Sequence, residues 1–390
     1  MKPLGLMLLV LLEAVPAWSA KRVTVEQLRG MLTAMQEAKR SDEEVAAALK
    51  QVELSEELTR PTMNSFVPLV PGRLSTEQIY VLEARSATLT PPASDLPTIA
   101  SPDSAAQRAL LDKAADYVSK TYAQLPSLTA TKATIRFQDN VEAAHSSGLA
   151  RGEREVSVGS ALVSPSQFIH YINSTEYRIA SQHGAERLPL EKDKTPWGAN
   201  KMIALQEPDP NLGSVFQEAH DAGTIMWLRW ELVNGKPAAV YSFEVSKRKA
   251  HFAVYVCCFP NVEQAGSYLP GAKSSAPDSA LGNLQDNVDW HPYKANVPYH
   301  GELFIDPDTG ILLRLITIAE LKPTEVVHQL DTRIDYAPVT IGGKGLVLPV
   351  KTVIATEVVP NGDSGSVGMY SVRHTFFTSE YKDYQSAGGH

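Results

Sequence analysis

Cysteine is nearly missing: the 390 residues hold two, Cys257 and Cys258, side by side. Neighbouring cysteines rarely bridge, because the ring they would close is strained. No disulfide framework is available, so the fold must rest on its core. A metal role for the pair would need a second Cys or His pair close by; buried strand residues are the simpler reading. Basic charge is also short. Lys and Arg number 36 against 44 Asp and Glu, a net charge of −8, which argues against a nucleic-acid partner. No segment beyond residue 20 contains 18 uninterrupted apolar residues, so no membrane-spanning helix is expected there. The ten histidines form no H-E-x-x-H motif and no i, i+4 ligand pair.

What is present begins with a leader-like stretch. Lys2 supplies a positive charge, residues 4–12 (LGLMLLVLL) an apolar run, and Val15-Pro16-Ala17 the small residues a signal peptidase requires, with Ala20 as a second cleavage point. The run is shorter than the roughly 20 residues needed to span a bilayer. Residues 1–20 therefore read as a signal peptide and the protein as exported, either periplasmic or secreted. Residues 21–85 read as short helices. Thr24-Val-Glu-Gln27, Ser41-Asp-Glu-Glu44 and Ser75-Thr-Glu-Gln78 each match a capping box, with apolar residues at helical spacing behind them. Residues 86–102 are proline-rich and read as a linker; a longer helix follows over 103–124, capped by Ser101 or Asp103.

From residue 128 the apolar period changes to two. Strands are expected around 133–137, 168–179, 227–233, 238–245, 251–259, 302–305, 311–318, 334–341, 346–359 and 367–377. Asn234-Gly235, Asp306-Pro-Asp-Thr-Gly310 and Gly342-Gly-Lys-Gly345 mark hairpin turns. The stretches 181–212 and 260–298 read as long loops. Short turns between successive strands predict an antiparallel meander.

Several motifs imitate chemistry. Gly362-Asp-Ser364-Gly-Ser366 with Ala143-Ala-His145 mimics a serine protease pair, but the apolar flanks are wrong and the residues are ordinary turn formers. Asp306-x-Asp308 begins like a calcium loop, yet Thr317 stands where the closing carboxylate belongs. His291 and His300 with Asp286 and Asp289 could form a loop metal cluster, though no spacing demands one. Asn173-Ser-Thr175 is a glycosylation sequon. Catalytic residues, metal ligands and cofactor sites are therefore all read as none. Trp227, Trp230, Tyr241, Phe243, Phe252, Tyr255 and Phe259 interleave on adjacent strands. They read either as sheet core or as the lining of an apolar pocket.

The runs GELFIDPDTGILLRLITIAEL (301–321), DTRIDYAPVTIGGKGLVLPVKTVIA (331–355) and HTFFTSEYKDY (374–384), after the helix at 103–124, carry a resemblance. Residues 103–384 resemble the half-barrel of periplasmic lipoprotein carriers and sigma-factor regulators. They are similar in style to a set of uncharacterised bacterial secreted proteins. The helices at 21–85 and the stretches 181–212 and 260–298 depart from that pattern, and no functional residue carries over. The resemblance implies a helix and a curved antiparallel meander over 103–384; with the short helices read at 21–85 before it and a tail at 385–390, the expected fold is α+β. The resemblance also implies a non-enzymatic binder of a lipid, lipidated or otherwise hydrophobic ligand, or of an envelope protein, shielding an acyl chain at about 0.8 kcal/mol per buried methylene. Two alternatives stand beside it. One is a secreted hydrolase assembled from distant residues, with His145, His220, His291 and His300 as the pool. The other is a structural or interaction protein with a filled sheet face.

Overall fold

The computed structural model describes residues 21–139, 169–182, 185–187, 212–222, 224–260, 290–322, 327–358 and 373–387. Residues 1–20, His145, Asp286, Asp289 and residues 362–366 lie outside them.

Two strands, β1 (Lys21–Val23) and β2 (Val52–Leu54), pair in parallel beside α1 (Val25–Glu37), α2 (Asp42–Leu49), α3 (Arg60–Phe66) and α4 (Arg73–Arg85). Thr24 and Ser41 close capping boxes with Gln27 and Glu44, as their spacing predicts. The box expected at Ser75 does not form, because Ser75 lies inside α4. Its hydroxyl and N–H donate instead to Asp42 Oδ1, and Leu74 N–H donates to Asp42 Oδ2 at 2.9 Å. A carboxylate from α2 thus satisfies the first-turn amides of α4. Leu28, Leu32, Leu49, Met63, Phe66 and Ile79 meet in a core of this unit's own.

α5 (Ser104–Lys120) is capped by Asp103, whose Oδ1 accepts from the Ala105 and Ala106 amides. The remaining strands are β3 (Leu128–Asp139), β4 (Ile169–Gln182), β5 (Ala185–Arg187), β6 (Met226–Val233), β7 (Lys236–Val245), β8 (Ala253–Pro260), β9 (Trp290–Asn296), β10 (Tyr299–Ile305), β11 (Leu312–Ala319), β12 (Val327–Ile341), β13 (Lys344–Val358) and β14 (Arg373–Ser386), with α6 (Leu212–Ala222) before β6. Ten of them form one sheet in the order β5-β4-β3-β14-β13-β12-β11-β10-β7-β6, and β8 and β9 pair separately. Its pairings are antiparallel. The fold is therefore α+β with a large antiparallel sheet that, among the described residues, does not close into a barrel. Asn234 and Gly235 both take positive φ, the two-residue turn expected between β6 and β7. Asp306 Oδ1 accepts from the Asp308 and Thr309 amides, so this carboxylate shapes a hairpin rather than a calcium loop. The stretches read as loops contain β5 and β9, and α6 begins at residue 212 where the first was taken to end.

Register divides the sheet into two chemically different faces. On one, Tyr241 faces Leu303 and Val245 faces Tyr299, and α5 and α6 share this core. On the other, α4 packs through Val81 and Ala84 against Phe137, Val353 and Phe376. Beside that contact runs a buried chain of ion pairs. Arg229 Nη2 lies 2.6 Å from Glu231 and 2.8 Å from Glu302. Arg314 joins Glu231 at 3.1 Å to Asp335 at 2.5 Å. Arg333 joins Asp335 at 3.1 Å to Glu57 of the helical unit, and donates to the Ala87 carbonyl at 3.0 Å. Burial pushes the Asp335 carboxyl up, but Arg314 and Arg333 overcome it and hold it well below the usual range.

Arg333→Met should destabilise the protein by about 3 kcal/mol, because it strands Glu57 and weakens the grip on Asp335 in a buried site. Adding Glu57→Leu should recover part of that loss. Thermal unfolding of the two variants checks both.

Candidate functional site

The aromatic residues singled out on β6 to β8 fall into two groups. A bulge between Trp227 and Arg229 turns both tryptophans to one face, where Trp227 is paired with Tyr241 and Trp230 with Ala239. The Trp227 ring meets Trp230 at 5.1 Å and Tyr241 at 5.5 Å, both edge-on. Phe243 and Phe252 meet around Tyr299, at 5.9 and 5.2 Å. Gly301 makes room for this second group: a Cβ there would lie 2.9 Å from the Phe243 ring and 1.9 Å from the Ile316 carbonyl oxygen. Tyr241, Phe243 and Phe252 are buried and the two tryptophans half-buried. Tyr255 and Phe259 belong to β8, and their side chains lie outside the described residues, as do those of Cys257, Cys258 and His291.

The polar tips of these rings tie the sheet to what covers it. Tyr241 O–H donates to the Gln107 carbonyl of α5 at 2.9 Å. Tyr299 O–H donates to Glu218 of α6 at 2.8 Å. Trp230 Nε1–H donates to the Ala100 carbonyl at 2.9 Å. Burial pushes the Tyr241 hydroxyl up to about 12, and burial with the Glu218 carboxylate raises Tyr299 further.

Two spaces adjoin this layer. A groove of about 500 Å³ lies between α5 and α6, with Ala115, Val118, Tyr122 and Phe216 as apolar wall and Gln217 and His220 at its side. A second, much smaller space of about 30 Å³ lies over the sheet, walled by Tyr122, Leu125, Ile334, Leu348, Thr352 and Tyr381. Tyr122 borders both.

The same sheet face carries a row of buried hydroxyls that sequence reading passed over. Thr352, Ser379 and Thr134 stand side by side on β13, β14 and β3, and the Ser379 and Thr134 hydroxyls are 2.9 Å apart. Thr356 bonds Thr375 beyond the Ile354–Phe377 pair. Thr317 and Thr332, opposite each other on β11 and β12, are fully buried, and their hydroxyls have no hydrogen-bond partner among the described residues. Threonine suits a strand by its β-branch, so alternation alone gave no sign that these oxygens face inward.

Other candidates separate. His220 pairs with Asp221 at 3.7 Å and stacks on Phe216; His300 pairs with Glu320 at 3.3 Å. The sequon at Asn173 lies within β4, where the Thr175 hydroxyl accepts from Arg136 at 2.8 Å. Glu357 sits between His374 at 3.4 Å and His328 at 3.6 Å, and their hydrogen bonds hold its carboxyl below its ordinary value. Among the described residues, no group of three or more His, Cys, Asp or Glu has the geometry to hold a metal.

Asp331 is 7% exposed, on the same face as the ion chain but beyond its end. Gln329 donates to one of its oxygens, and the other has no partner among the described residues. Burial raises its pKa from 3.8 to about 6, against the lowering effects of Gln329 and His300. The folded state thus holds this proton more tightly than the unfolded chain. Its contribution to stability falls as pH rises from 3.8 to about 6 and is flat above. Asp331→Asn should therefore stabilise the protein at pH 7 by about 2–3 kcal/mol and remove that slope, as read by denaturant unfolding across pH.

Compared with models of known protein families, with curated proteins and with solved structures, the chain matches none.

Proposed function

We propose that this is an exported, non-enzymatic binding protein that shields a hydrophobic, lipid-like chain between its helices and its sheet. In this reading the sheet bends as a half-barrel of the periplasmic lipoprotein-carrier kind. The observation that carries it is the groove between α5 and α6, which shares Tyr122 with the space over the sheet. A volume near 500 Å³, with Ala115, Val118, Tyr122 and Phe216 as its apolar part and Asp116, Ser119, Ser214, Gln217, His220 and Asp221 as its polar part, suits a chain with an apolar body and a polar head. Of the residues first singled out, Trp227, Trp230, Tyr241, Phe243 and Phe252 form the packed end of this face. They would brace the site, and the open wall falls to Ala115, Val118, Tyr122 and Phe216.

Native mass spectrometry of the purified protein should find a co-purifying lipid, and a fluorescent fatty acid should bind with micromolar affinity. Ala115→Trp, which fills the groove from a half-buried position, should weaken that binding by roughly tenfold or more while leaving the thermal midpoint within a few degrees. Lipid-free protein that binds no fatty acid would remove the proposal.

Export belongs to the same reading. It rests on the leader-like pattern of residues 1–20. Cell fractionation should place the protein outside the cytoplasm, and terminal sequencing should start at Trp18 or Lys21.

A further inference from the structure

Strand β6 ends the ten-stranded sheet, and among the described residues it pairs with β7 alone. A strand edge leaves a row of N–H and C=O groups without partners, and proteins ordinarily blunt such edges with exposed charge, proline, inward charges or a bulge; β6 has the last two, in Arg229 and Glu231 and at Leu228. It nevertheless exposes Met226 at 64%, Leu228 at 45% and Leu232 at 42%. Ile99, next to the Ala100 that binds Trp230, is exposed at 45%. Where a charged rim would be expected, the edge shows aliphatic side chains.

The sequence of the edge is self-complementary. Leu228-Arg229-Trp230-Glu231-Leu232 reads as apolar, basic, aromatic, acidic, apolar. Extending the sheet through a two-fold axis perpendicular to it keeps each copy's faces on the same side, so residues that meet must share a face. An axis on Arg229 or on Glu231 would set that charge against its own copy. An axis on Trp230 sets Arg229 against Glu231 of the second copy on both sides of the axis, and brings Leu232 toward Leu228, the extra residue of the bulge. Like charges directly opposite are unfavourable and unlike charges favourable, so the electrostatics select this register.

We propose that β6 is a homodimer interface, in which two copies join edge to edge, antiparallel about Trp230, into one continuous sheet. The occupant is a second copy of this chain because the pattern of charge and apolar side chains complements itself. The two arginines and two glutamates already have partners within each copy, Glu302 and Arg314 among them, so they enter the interface neutralised. The inference stands apart from ligand binding, which concerns the helix-covered face.

Light scattering of the full-length exported protein after size exclusion should show a dimer at concentrations on the order of 100 µM or below. Leu232→Lys and Leu228→Lys should each weaken it by roughly tenfold or more, with circular dichroism and thermal midpoint unchanged, since both sites are exposed. A mixture of Leu228→Cys and Leu232→Cys proteins should form a disulfide-linked heterodimer on oxidation, while each alone and the unsubstituted chain should not. A monomer at that concentration overturns the proposal. So does a dimer that survives both lysine substitutions, or one that fails to cross-link in the mixture.

Discussion

The ion chain from Glu302 to Glu57 is the constraint on which the rest of the architecture depends. Seven charged side chains on β6, β10, β11, β12 and the helical unit are removed from water in sequence, and each is matched by its neighbour. Such a chain adds little net stability over apolar packing of the same volume. What it imposes is register. Slipping any of these strands by one residue would turn a guanidinium or carboxylate to the face occupied by Tyr241, Leu303 and Leu315, with no partner there. Glu57 belongs to the helical unit, so the same chain fixes where that unit sits. Glu83 of α4 repeats the device, meeting Lys351 at 2.6 Å and Arg60 at 3.2 Å.

With register held from one side, the opposite face is free to vary in bulk and polarity. Large rings crowd β7 and β10, and their hydroxyls donate to acceptors on α5 and α6. Across β13, β14 and β3 small inward hydroxyls, Thr352, Ser379 and Thr134, alternate with larger apolar groups, Ile354 and Phe377. Small hydroxyl residues keep strand propensity while filling less volume than the rings do. Tyr122 stands where the helix layer meets this part of the face.

The sequence shows clearly those features that are local. Thr24 and Ser41 with their partners three residues on, Asn234-Gly235, and the shift to a two-residue period near residue 128 each depend on neighbouring residues, and each appears where expected. The failures are tertiary. Ser75 has the same local pattern as Ser41, but the carboxylate of Asp42 reaches the amides first. α6 follows a stretch with Pro208 and Pro210 that reads as a loop, and β9 lies in another. Most telling is Asp331, Arg333 and Asp335 on alternate positions of β12, which look like a solvent-facing edge of polar residues. Only the helical unit and the adjacent strands, remote in sequence, bury them. The groove between α5 and α6 was illegible for the same reason: one of its walls was not recognised as a helix.

The ion chain also explains how an apolar edge is left uncovered. An inward-pointing charge on an edge strand normally discourages a neighbour, because pairing would bury it without compensation. Arg229 and Glu231 occupy that role on β6, and Glu231 is only 1% exposed. Both are already compensated, Arg229 by Glu302 and Glu231 by Arg314, so an incoming strand would meet no unpaired charge. The deterrent is cancelled by the same contacts that lock the register. What the edge then presents is its backbone and its leucines, and the order of side chains about Trp230 decides which strand can use them.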